Sequence, residues 1–378
     1  MKRECHSTTI CLVIGILGLT LYGGEANADD WPRFQGLHGN CTSHETGLMK
    51  EWPADEPEVL WTTKVGAGFG GVVVEKGRVY ILDREKGVRD ILRCIDLNTG
   101  KDLWEFSYDA PGKISYPGSR SHPTLDDENI YIAGPVGDLH CISKVSHKPL
   151  WPVNILEAFG ARVPRWAVSQ APALYKNLVI VAPVSKETGV AAYSREAGTL
   201  LWKSAPLEGK ISYASPIVTT IDGVDQVLIV TTDGVTGLDA NNGEILWYNG
   251  DWKCRIPIAS AAPLGDGLVF VSGGYGAGAI MLRVSKMPAG FQAETLFKNR
   301  ECKGQIHQPI VYKDHIYINA NDKGMREGLM CMDLEGNVKW KTGKSPGFDW
   351  GGMLLADGIL YVVRCKYGSR ITLSMAVT

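Results

Sequence analysis

A nine-residue phrase, Asp-Leu-Asn-Thr-Gly-Lys-Asp-Leu-Trp at Asp96 to Trp104, recurs along the chain with variations. Asp239 to Trp247 is the same phrase, and Asp333 to Trp340 is one residue shorter. Tyr193 to Trp202 is a looser copy, and Val145 to Trp151 looser still. Each copy reads as an apolar strand, a tight polar turn with Asn or Gly, and a second strand ending on Trp. The turn needs a residue that tolerates positive φ, which is why Gly or Asn returns there. A hairpin repeated in this way leaves few folds open.

The spacing narrows them further. The closing aromatics fall at Trp61, Trp104, Trp151, Trp202, Trp247, Phe297 and Trp340, at intervals of 43 to 51 residues, about 46 on average. Before most hairpins stands another pair of short strands, as in Gly71–Glu75 with Arg78–Leu82, or Gln308–Tyr312 with His315–Asn319. Four strands per period of roughly 40–50 residues is the pattern of a propeller blade. No mature segment shows the 3.6-residue period of a helix. The expected fold is an all-β propeller of four-stranded blades. Each recurring Trp is expected to be packing, worth roughly 3–5 kcal/mol where buried. Asp96, Asp239 and Asp333 read as turn caps, because no Asp-x-Asp-x-Asp-Gly loop surrounds them.

Residues 1–28 read as a signal peptide. Lys2 and Arg3 precede an apolar run from Ile10 to Tyr22, and Ala26-Asn27-Ala28 is a small-x-small cleavage site. The run is short for a membrane span, so export to the periplasm or exterior is expected, with an uncleaved anchor as the alternative. Cys11 and Cys41 are badly placed for lipidation. Cys94, Cys141 and Cys331 hold one place in three repeats and read as small core residues. Cys254 and Cys302 follow closing aromatics in adjacent repeats, so a disulfide between them stays open. The net charge of -2 argues against nucleic acid as a partner. A monomer is expected.

Residues 29–60 read as a leader packed on the propeller, since Trp31, Phe34 and Trp52 are costly to leave in water. Residues 61–378 are the propeller. The strand around Trp61 has no blade before it, and the last period, from Asp349, offers at most three strands. Two rings stay open: seven blades with the Trp61 strand completing the last, or a truncated ring of eight.

The hairpin phrase resembles the repeat of the PQQ-like, or quinoprotein-type, β-propeller family, across residues 61–363. The leader Trp31-Pro32-Arg33-Phe34-Gln35-Gly36, with Glu45 to Leu48, is similar to that of exported planctomycete-type members. One branch of the family is the quinoprotein dehydrogenases, and the resemblance implies pyrroloquinoline quinone with calcium and a vicinal cysteine pair. This chain has no adjacent cysteines. The other branch is BamB-like, a non-catalytic scaffold that binds partners.

The loops joining one blade's outer strand to the next blade's inner strand carry Arg120 and His122, Arg165 and Trp166, Tyr213, Arg255, His307 and Trp350. Tyr116, Ser169, Lys253, Gln305 and Asp349 accompany them. Gathered at one mouth, they would form a cationic, aromatic-lined funnel for a protein segment or a small polar or anionic ligand. No Gly-x-Ser-x-Gly elbow, His-Glu-x-x-His helix or P-loop is present. His122 and His307 would serve as acid and base only if a substrate bridged their blades. The reading is therefore a binding or scaffold propeller with no catalytic residue, cofactor or metal. A quinoprotein oxidoreductase of alcohol or sugar dehydrogenase type, with quinone and calcium, is the alternative.

Overall fold

The computed structural model describes residues 29–49, 59–112, 114–322, 327–344, 348, 352–364 and 372–377, with backbone alone at 363–364 and 372–377. Residues 1–28, expected above to be a signal peptide, Trp52 and the Asp349–Trp350 pair lie outside the described residues. The fold is an all-β propeller. Among the described residues seven antiparallel sheets span 73–109, 124–154, 173–203, 217–249, 262–299, 310–341 and 353–377. The first six have four strands each, in the order of the chain, and the seventh has three.

The repeated phrase is the hairpin of the third and fourth strands. In the first sheet Asp96 Oδ1 accepts the backbone N–H groups of Asn98 and Thr99, the Asx geometry that sets the turn. A register shift follows the aromatic's cross-strand partner in all six four-stranded sheets, at Cys94/Ile95, Cys141/Ile142, Ala192/Tyr193, Gly237/Leu238, Met281/Leu282 and Cys331/Met332. Cys94, Cys141 and Cys331 stand directly opposite Trp104, Trp151 and Trp340. A small apolar side chain there leaves room for the indole.

The closing aromatics reach from one sheet to the next. Trp151 covers Gly198 in the following sheet's turn and donates from Nε1 to Arg195 O at 3.0 Å. Trp202 covers Gly243 and Phe297 covers Gly336 in the same way. Trp104 instead stacks on His147, ring centroids 4.4 Å apart, and His147 holds the left-handed φ of 57° that glycine holds elsewhere. A Cβ on Gly198 would come within 2.5 Å of the Trp151 ring, so both φ and close approach select glycine. Trp247 departs from the pattern, lying over Gly237 of its own sheet and bonding Gln226.

Trp61 makes the contact a preceding blade's Trp would make: it covers Gly100 and donates to Leu97 O at 2.8 Å. Residues 59–64 nevertheless form no strand, and among the described residues nothing pairs them with the seventh sheet. The indole is committed to the first blade, and the strand closure expected of this segment is not seen among the described residues.

The leader links the two ends of the sheet order. Trp31 exchanges both backbone hydrogen bonds with Val74 of the first sheet's innermost strand. Ten and twelve residues on, Cys41 and Ser43 bond Leu355 in the seventh, and Asp357 accepts the N–H groups of Gly47 and Leu48. Cys254 and Cys302 are both free, buried thiols, so the disulfide does not form. No helix among the described residues is long and apolar enough to cross a membrane.

Candidate ligand-binding site

The segments entering the first strands of sheets one to six converge around a cavity of about 740 Å³. Tyr116, Arg120 and His122 line it from the second sheet's approach, Trp166 and Ser169 from the third, Tyr213 from the fourth and His307 from the sixth. The propeller places these segments together because each leads from an outer strand back to an inner one.

Within this set the charges differ in what they do. Arg120 donates to three carbonyls of its own loop, Gly118, Ser115 and Tyr116, at 2.8, 2.6 and 2.7 Å. Its guanidinium lies 5.0 Å from the Phe69 ring, and burial pulls its pKa down. Arg120 therefore holds the loop first and faces the cavity second. Arg165 and Arg255 are exposed, and each guanidinium rests over an aromatic ring, Trp166 at 5.3 Å and Tyr275 at 5.5 Å. Trp166 and Tyr275 both line the cavity. Lys253, by contrast, points to Asp233 at 3.6 Å.

His122 is neutral. Burial, and then the neighbouring His307, lower its pKa to about 4. Its Nε2 accepts the Gly71 N–H at 3.0 Å, which places the ring proton on Nδ1. A Cβ at Gly71 would stand 2.3 Å from that nitrogen, so glycine is what permits the approach. Phe34 from the leader packs on the other side of the imidazole, centroids 4.9 Å apart. Sheets two and six thus bring His122 and His307 into mutual electrostatic reach, closer than their separation in the chain suggests.

Sequence reasoning missed part of the lining: Phe34, Phe69, Ile256, Ile258, Tyr275 and Ile306. Each lies near a named candidate in the chain or sits in the leader, except Phe69, in the segment entering the first sheet, and Tyr275, which rises from a glycine-rich hairpin at 273–278. Gln305 turns inward and bonds the Tyr275 hydroxyl at 3.2 Å. No Asp or Glu stands among the described residues that line the cavity. Of its two serines, Ser169 and Ser215, the latter accepts the Ala171 N–H on Oγ, a structural bond between adjacent blades. The chemistry on offer is stacking, apolar contact and guanidinium donation.

A family model described as outer membrane protein assembly factor BamB matches residues 88–342. A quinoprotein alcohol dehydrogenase, PedH of Pseudomonas putida, is 22% identical over 164 residues, covering 42% of this chain and 27% of that protein. The chain thus spans about a quarter of that relative's length. BamB from Moraxella catarrhalis superposes with a TM-score of 0.51 at 18% identity, over 71% of this chain and 75% of that one. A europium-containing methanol dehydrogenase gives 0.64 at 10% identity, over 89% and 82%. The quinohemoprotein alcohol dehydrogenase of Comamonas testosteroni gives 0.61 at 14%, over 88% and 70%. At these identities the solved structures speak for the fold alone.

Proposed function

The chain belongs to the PQQ-like repeat family described as outer membrane protein assembly factor BamB, and from that premise we propose that it is an exported binding propeller whose occupant sits at the loop-lined mouth. One observation carries the reading. Arg165 and Arg255 sit parked on aromatic walls of a cavity whose described lining holds no carboxylate. Unspent guanidinium groups beside exposed rings suit an anion attached to an apolar or aromatic body. Export rests on the charged start, apolar run and small-residue cleavage site of the sequence.

The dehydrogenase relatives raise quinone with calcium as the second reading. Calcium takes six to eight oxygen ligands, carboxylates foremost. The cavity's described lining offers none, and no cluster of three or more His, Cys, Asp or Glu suited to a metal stands among the described residues. These residues do not fit the ion.

The test is a thermal-shift titration of the mature chain with two probes, 8-anilinonaphthalene-1-sulfonate and pyrroloquinoline quinone with Ca²⁺. A probe at 100 times its Kd stabilises the native state by about 2.7 kcal/mol, a readable rise in midpoint. The binding reading expects a saturable shift with the naphthalene sulfonate that Arg165→Ala with Arg255→Ala removes. A calcium-dependent shift with the quinone alone would transfer the assignment to the oxidoreductases.

A further inference from the structure

The cavity and its surroundings say more about what the occupant is. Apolar and aromatic side chains make up much of its lining, Phe34, Ile256, Ile258 and Ile306 among them, beside Arg120, His122, His307 and two serines. One ring or other apolar group is the natural filling. Recognition also extends past the cavity: Phe69 and Tyr116 are 62% and 67% exposed at its rim. Such exposure of large rings beside a cavity marks an interaction surface. The free guanidinium groups stand on different sides, Arg165 in the loop entering the third sheet and Arg255 in the loop entering the fifth. Arg120 adds a third positive charge on the second sheet's side.

Resting on the binding reading above, we propose that the mouth captures an extended acidic segment of a partner protein by one aromatic anchor. The anchor's ring fills the cavity between Trp166 and Tyr275, and carboxylates on either side of it pair with Arg165 and Arg255. This is the arrangement in which a few buried aromatic anchors carry affinity and rim charges set register and encounter rate. A small aromatic acid would use the cavity and one arginine, and would leave the opposite arginine and the exposed rim rings idle.

The experiment is fluorescence anisotropy with a labelled peptide, Gly-Asp-Glu-Trp-Glu-Asp-Gly, and the intact mature chain. Two control peptides replace the Trp by Ala or the four acids by Lys, and N-acetyl-tryptophan amide and 2-naphthoate serve as competitors. The expected result is at least tenfold weaker binding for each control peptide and for Arg165→Ala with Arg255→Ala, with a flatter salt dependence in that variant. Both arginines are exposed and, among the described residues, hold only a ring contact, so the fold is expected to survive their removal. Competition by 2-naphthoate or N-acetyl-tryptophan amide with the affinity of the full peptide would overturn the proposal in favour of a small aromatic ligand. Equal binding of the Lys-flanked peptide would also overturn it. The naphthalene sulfonate titration separates the failures: if that probe binds through the arginine pair and the peptide does not, this proposal alone falls. If neither binds, the binding reading falls with it.

Discussion

His140 shows how a single buried side chain ties the propeller's stability to pH. It projects from the second sheet against Tyr108 and Phe106 of the first, with centroid distances of 4.2 and 5.5 Å. Burial lowers its pKa from 6.5 to about 4. The folded state therefore refuses a proton that the unfolded state accepts. Stability is whole above about pH 6.5, falls as acid is added, and has lost the full contribution below about pH 4, at most ~3 kcal/mol for a shift of this size. Asp90 and Asp138 stand in the same interblade region with Arg84, and burial raises both carboxyls. They take up protons more readily when folded, so their effect opposes that of His140 toward the acid end. His140→Phe should flatten the fall in urea midpoint between pH 6.5 and 4. An unchanged slope would show that the imidazole is not the group responsible. At this scale the sequence was partly legible. Arg120, His122, Trp166, Tyr213 and His307 were marked by residue type and loop position, and they do line one cavity. That Arg120 would be tied to its own loop, or that His122 would need Gly71, depends on three-dimensional approach that no local pattern encodes.

The element that organises the fold is the Trp-closed hairpin, and its worth varies with what it covers. Trp151 is 6% exposed, seated on Gly198 and bonded to Arg195 O. Trp340 closes the same phrase yet is 40% exposed. Trp151→Ala should cost about 3–5 kcal/mol, and Trp340→Ala under about half of that, read as denaturant midpoints at constant slope. Similar losses would mean that interblade burial does not set the value. The hairpins themselves were legible because turn chemistry and strand alternation are local. The strand His315–Asn319 coincides with the one the sequence suggests. What the period left out was the partner of each Trp. The link from Trp61 to Gly100 continues the interblade series without the backbone ladder that the spacing alone implied.

The whole molecule is joined through its leader. Residues 31–43 are hydrogen-bonded to the innermost strands of the first and seventh sheets, and Phe34 in between forms part of the cavity lining. Ring integrity and the candidate site thus share one segment. Removing residues 29–49 should lower the thermal midpoint by several degrees and weaken naphthalene sulfonate binding together. Loss of stability with intact binding would uncouple the two. Packing of the leader on the propeller was foreseeable from Trp31 and Phe34; its span from one end of the chain's sheet order to the other was not, because backbone bridges leave no composition signal. The most direct test of the central claim is a crystal structure of the mature chain soaked with 8-anilinonaphthalene-1-sulfonate. The account predicts the ring system between Trp166 and Tyr275 with its sulfonate against Arg165 or Arg255. Occupancy elsewhere on the propeller, with the mouth empty at saturating probe, would contradict it.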